Sequence, residues 1–295
     1  MTTRITLPRV FRLDAIDRFA QQIVGPNNQP LDRSYEFDFR DLDFIDGSGY
    51  TVFSNTIEWL RYHRVKITFF NLFAVNREGI RYLDACGFFE RNIKRKVVPG
   101  NVAKSTTLPC SPIEFARVFS WIERVLSPWL GRALNTSYAS LSSIRTCIKE
   151  LFNNISDHAA VHTGFVHVQH YPNLRKVKIT ISDFGVGIPT TIRKQFGPMS
   201  DAEAIRLAAE EGITAQSRPN NMGAGLNFLI DCITMNDGSV LIHSLSGSLN
   251  CYLERGRQQR RPSTWRGSYP GTLVDITLDT RLFVGDDDER GEVEW

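Results

Sequence analysis

Lys176-Val177-Lys178-Ile179-Thr180-Ile181-Ser182-Asp183-Phe184-Gly185-Val186-Gly187-Ile188 is the stretch on which the reading of this chain turns. Lys176 to Ser182 is rich in β-branched residues and reads as a strand, and it runs straight into a loop with glycine at alternate positions. Glycines there permit positive φ and close backbone approach to a ligand, while a carboxylate at the strand end, Asp183, can accept from an exocyclic amine. A plain glycine turn fits the same letters. Downstream, Asn221-Met222-Gly223-Ala224-Gly225-Leu226 opens an amphipathic helix carrying Leu226, Leu229, Ile230 and Ile233. Glycine-rich backbone at a helix N-terminus offers unpaired N–H groups and the positive dipole end to phosphate. No Lys-Ser/Thr pair follows, so this is not a Walker A loop.

Upstream, Leu141, Ile144, Ile148, Leu151 and Ile155 recur at three- and four-residue steps, the core stripe of a helix over 141–158. Glu150, Asn154 and His158 recur at steps of four beside it. An amide oxygen is a hard neutral ligand for Mg²⁺, and a carboxylate one turn earlier can orient or deprotonate a nucleophile. Taken alone, the same stripe is also what a half-exposed polar helix face looks like.

The order of the three elements is more specific than any one of them. E-x-x-x-N-x-x-x-H on a helix, D-x-G-x-G-I after a strand and G-x-G-L at a helix start resemble the Bergerat-fold (GHKL) ATPases and kinases over about residues 137–280. Glu211-Gly212-Ile213-Thr214 is similar to that family's lid segment, and Gly271-Thr272-Leu273-Val274 to its last strand. The resemblance implies ATP and Mg²⁺ as cofactors, Asn154 as the metal ligand and Glu150 as general base. It also implies Asp183, with Thr272 beside it, as the reader of the adenine amino group. Asp157, His158, Gly185, Gly187, Ile188, Thr214, Gly223, Ala224, Gly225 and Leu226 would complete the nucleotide site. Asn227 stands where histidine kinases often have another glycine. The spacing is nearest to the anti-sigma factor serine kinases. With no phosphoacceptor helix between 112 and 140 and no transducer after 280, neither a self-acting histidine kinase nor a gyrase-type machine is expected.

Working outward to the N-terminus, Tyr35 to Phe39 and Val65 to Phe70 read as strands, with helices between and after them, a small α/β domain with a mixed sheet. Asp41-Leu42-Asp43-Phe44-Ile45-Asp46-Gly47-Ser48-Gly49-Tyr50 joins strand to helix and resembles the loop of STAS (anti-sigma factor antagonist) domains. In that family the serine before the glycine accepts phosphate, which makes Ser48 the candidate acceptor; the residue types also fit a simple helix N-cap. The expected layout is α/β and α+β: a STAS-like mixed-sheet domain over 1–100, a linker and connecting helix over 101–136, a Bergerat α/β sandwich over 137–280 and an acidic tail over 281–295. Within it, Ile113 to Leu126 is expected as a helix stopped by Pro128, and a ligand-ordered lid is expected between about Ile192 and Met222.

A chain of 295 residues with 42% apolar and 23% charged content has material for real cores, which excludes disorder and collagen. Its net charge of +3 argues for no nucleic-acid or anionic-membrane partner. The exception is local, in Arg255, Arg257, Arg260, Arg261 and Arg266 with Trp265 and Tyr269, which could grip phosphates and stack bases or form a solvated hairpin. Five cysteines without a C-x-x-C pair, no apolar leader and no long apolar run point to a cytoplasmic chain outside the membrane. The functional expectation is an ATP- and Mg²⁺-dependent regulatory protein, a serine kinase or slow ATPase, with a protein partner reached through the STAS-like half and a homodimer compatible with it. The alternatives are a non-catalytic ATP-binding switch and a nucleic-acid-linked ATPase.

Overall fold

The computed structural model describes residues 2–73, 76–158, 163–210, 212–213 and 226–283, with Pro26, 154–158 and 282–283 as backbone only. The N-terminal half runs β1 (Thr2–Thr6), β2 (Val10–Phe11), α1 (Leu13–Gln21), β3 (Ser34–Asp38), β4 (Phe44–Ile45), α2 (Gly47–Tyr62), β5 (Lys66–Phe70), α3 (Glu78–Ala85) and α4 (Phe88–Ile93). Its sheet, ordered β1-β3-β5, is parallel at both pairings, not mixed as the sequence suggested. A helix separates each strand from the next, and such a crossover returns the chain to the same end of the sheet. Phe37, Phe39, Phe53 and Phe88 fill the core, with the Phe53 and Phe88 rings stacked at 5.0 Å. Gly87 ends α3 and starts α4 at φ +78°.

The expected linker is structured. β6 (Thr107–Glu114) pairs with β7 (Thr163–Tyr171) as the outer strand of a second sheet. After it, helical backbone runs from α5 (Val118–Trp121) through one π-helical stretch, Ile122–Leu126, into α6 (Ser127–Leu134). Pro128 therefore does not stop the helix. The wider turn leaves room where proline lacks an N–H, and Ser127 Oγ donates to the Ile122 carbonyl at 2.8 Å.

The C-terminal half adds α7 (Ser142–His158), β7, β8 (Lys176–Ser182), α8 (Ile188–Phe196), α9 (Asp201–Ala208), α10 (Leu226–Thr234), β9 (Ser239–Glu254) and β10 (Arg257–Asp279). Its five-stranded sheet is antiparallel in the order β6-β7-β8-β10-β9. The separate short strands expected between 239 and 278 are two long ones, joined at Arg255 and Gly256, both with positive φ.

Period-two alternation gives this sheet two buried faces. Val166, Val168, Val177, Ile179, Ile181, Val274 and Ile276 form one core with the apolar stripes of α7 and α10. The opposite face, with Phe165, His167, Thr180, Ser182, Leu273 and Asp275, is covered by α2 from the N-terminal half. Phe53, Ile57 and Leu60 of α2 join the N-terminal core, while Ser48, Thr51 and Asn55, at helical spacing, turn toward the second sheet. A helix buried on every side has to meet its polar side chains internally, and α2 does so for Ser48 and for the Asn55 amide N–H groups, which donate to Asp275, Tyr269 and the Asp183 carbonyl.

Candidate functional site

Asp183 follows the last residue of β8 and is 2% exposed. Burial pushes its carboxyl up to about 7, only partly opposed by backbone N–H groups that include Gly185, whose amide donates to Oδ1 at 2.7 Å. The Asp183 N–H donates to the Thr272 carbonyl at 3.0 Å, so pairing of β8 with β10 sets Thr272 beside it. The Thr272 hydroxyl itself pairs with Ser244 Oγ at 3.2 Å.

The glycines here are demanded by crowding. Gly271 has φ +84°, and a Cβ on it would lie 2.3 Å from the Asp183 carbonyl oxygen. Gly187 has φ +81°, and its Cβ would lie 2.8 Å from Ser244 Oγ. Ser244 accepts from the Ile188 N–H at 3.0 Å and donates to the Gly271 carbonyl at 2.7 Å, joining the loop, the start of α8 and β10. Sequence reading missed Ser244 because a serine inside a strand carries no local signal.

Glu150 lies half-buried on α7, and α7 packs against α10, which begins at Leu226 directly after the second glycine loop. Asn154, Asp157 and His158 belong to α7 by backbone, their side chains undescribed; Thr214, Gly223, Ala224 and Gly225 lie outside the described residues, as does Glu211. Half of the predicted site is thus placed: Asp183, Gly185, Gly187, Ile188 and Thr272 come together at one end of the sheet, and Glu150 and Leu226 sit on the two packed helices. Among the described residues no three His, Cys, Asp or Glu side chains gather as a metal site.

The lid expected from Ile192 to Met222 is in its first part firm structure. α8 extends to Phe196, and α9 starts on a complete Ser200–Glu203 capping box and buries Ala204 and Ile205 against β9. Residues 214 to 222 lie outside the described residues.

Ser48 is neither exposed nor the N-cap. Asp46 caps α2, accepting from the Gly49 N–H at 3.0 Å, while Ser48 is 1% exposed and donates to Asp275 Oδ2 on β10. Thr180 donates to the same oxygen at 3.0 Å, and the Lys178 ammonium lies 3.6 Å from the other. In this arrangement Ser48 is closed to any phosphoryl donor. A negative charge there would also face the Asp275 carboxylate in a buried place. Ser48→Asp is accordingly expected to lower unfolding free energy by about 3 kcal/mol, measured by urea titration, while Ser48→Ala costs about 1. A Ser48→Asp protein as stable as Ser48→Ala would mean that α2 is readily displaced from the sheet.

The arginine-rich hairpin turns much of its chemistry inward. Arg260 donates to the Ala209 carbonyl and to the Asn227 and Asp231 side chains of α10, Trp265 stacks on His243 at 3.4 Å, and Tyr269 is buried. Tyr269 thus has no face free for a base, and one face of Trp265 is already occupied by His243. Elsewhere, a cavity of about 780 Å³ lies between Asp46, Tyr82, Lys104 and the 170–174 turn, and Asp183 is not among its lining residues. No described helix is long and apolar enough to cross a membrane. No family model and no curated protein matches the chain.

Proposed function

We propose that this chain is an ATP- and Mg²⁺-binding regulatory protein whose nucleotide site lies at the Asp183 end of the five-stranded sheet. The observation that carries the reading is the Asp183 carboxyl: buried, raised by desolvation, and set in backbone kept free of side chains at Gly187 and Gly271. Holding a carboxyl there is costly unless a ligand donor meets it, and an adenine amino group is such a donor. Asn154 would hold the metal with the phosphates, and the glycine loop at 223–225 would meet those phosphates with backbone N–H groups. Glu150, one turn before Asn154 on α7, would take a proton from a nucleophile, the role a serine kinase or slow ATPase needs. The buried Ser48 favours a second reading, in which nucleotide occupancy alters how the N-terminal half engages a partner and turnover is incidental.

Calorimetry with Mg²⁺-ATP tests this. The wild-type protein is expected to bind ATP more tightly than GTP, and Asn154→Ala to abolish the metal-dependent part. Asp183→Asn is expected to weaken ATP by about 1 to 3 kcal/mol. Equal affinity for ATP and GTP, together with unchanged binding in Asn154→Ala, would remove the reading.

A further inference from the structure

Asn55 lies in the middle of α2, in the N-terminal half, and is fully buried. Its Nδ2 donates to the main-chain carbonyl of Asp183 at 2.8 Å and to the Tyr269 hydroxyl, also at 2.8 Å, while its Oδ1 has no hydrogen-bond partner. The amide orientation follows from the acceptor, since a carbonyl oxygen can only accept. With the Tyr269 oxygen accepting from Asn55, its own proton goes to Ser182 Oγ, 2.5 Å away, and Ser182 donates to the Thr272 carbonyl at 3.1 Å. That carbonyl also accepts from the Asp183 N–H at 3.0 Å. Both ends of the Asp183 peptide are therefore held by one buried relay that starts in the other half of the molecule. A second contact lies at the end of the same helix, where the Tyr62 ring meets Phe184 at 5.9 Å.

An asparagine is a poor choice for packing alone. Leucine has similar bulk and would leave no orphaned oxygen; what it could not do is donate twice. We propose that Asn55 is a positioning residue, holding the Asp183 main chain and thereby the placement of its carboxyl, and coupling the seating of α2 on the sheet to ligand binding at Asp183. The positional part stands on geometry alone; the ligand part rests on the nucleotide reading. Coupling of this kind runs both ways, so a partner that shifts α2 alters affinity at Asp183, and a ligand at Asp183 tightens α2.

The test uses the full chain with Asn55→Leu and, as a control on the same helix face away from Asp183, Thr51→Val. Amide exchange of Gly185, whose N–H is bonded to the Asp183 carboxyl, reports the held conformation without any nucleotide. In Asn55→Leu that exchange is expected to quicken by at least about tenfold and the ATP-over-GTP preference to fall by about tenfold. Thr51→Val should leave both unchanged whatever it does to overall stability, which separates positioning from a general loosening. Unchanged Gly185 exchange in Asn55→Leu overturns the proposal. Quickened exchange in a protein whose wild type shows no nucleotide preference upholds the positioning role and sinks the nucleotide reading instead.

Discussion

Acidification from pH 6.5 to pH 4 is expected to cost the folded protein about 3 kcal/mol, with a much steeper loss below pH 4. His167 and His243 are buried, and desolvation pulls both rings down to about 3. His167 Nε2 meets the Tyr82 hydroxyl at 2.8 Å, whereas neither nitrogen of His243 has a hydrogen-bond partner, although the nearby Leu245 backbone favours its protonated form slightly. Between their unfolded value of 6.5 and about 3, the unfolded chain binds more protons than the native one. Each ring therefore withdraws about 1.4 kcal/mol of stability per pH unit as pH falls through that window.

Asp183 acts in the opposite sense, because its folded value of about 7 lies above its unfolded 3.8 and the native state binds the extra proton. Two histidines oppose one carboxyl, so the histidines win. Below pH 4 the Asp183 offset is exhausted. There Asp38 adds to the loss: despite burial, hydrogen bonds from Arg40 and Asn71 hold it down at about 2. Urea midpoints at pH 7, 5.5 and 4 check this. His243→Leu should flatten the curve between 6.5 and 4, since one ring then balances one carboxyl, and Asp183→Asn should steepen it. An identical pH dependence in His243→Leu and wild type would show that His243 is hydrated and titrates normally.

The second large effect is at Gly271. Alanine there meets a positive φ and places a Cβ on the Asp183 carbonyl oxygen and 2.6 Å from Phe184 Cα, backbone atoms that cannot swing away. Strain and overpacking together are expected to cost about 4 kcal/mol, and binding at the proposed nucleotide site should disappear with the displaced Asp183. Gly256 in the β9–β10 turn is the comparison, because its φ is +73° but nothing lies within 4 Å of an added Cβ. Gly256→Ala should cost only about 1 kcal/mol and leave binding intact. Equal destabilisation of the two variants would mean that the Asp183 peptide yields to the intrusion.

Much of the element plan was legible in the residues. β3, β5, α2, α7, β7 and β8 fall where alternation or three-and-four spacing puts them, since each buries one apolar stripe and the stripe is written locally. The misreadings share a cause. Residues 107–114 look like linker because their prolines and serines suit turns, yet a strand at a sheet's edge tolerates both. The end of α8 and all of α9 fall inside the span that reads as a lid, because sequence polarity does not show that a capping box and two buried residues anchor α9. Of the candidate site, the step from strand to glycine loop at Asp183 could be read, because a β-branched run that ends in alternate glycines marks where a strand stops.

Ser244, Asn55 and Tyr269 could not be read, because their meaning comes from strands and a helix remote in sequence. By itself the sequence determined most of the helices and strands, a consequence of local periodicity. Only the tertiary structure decided that the Ser48, Thr51 and Asn55 side of α2, the side that would face water in an isolated α/β domain, is buried against a second sheet. Helical periodicity distinguishes a polar face from an apolar one, but it cannot say whether the polar groups are met by water or by Asp275, Tyr269 and the Asp183 carbonyl.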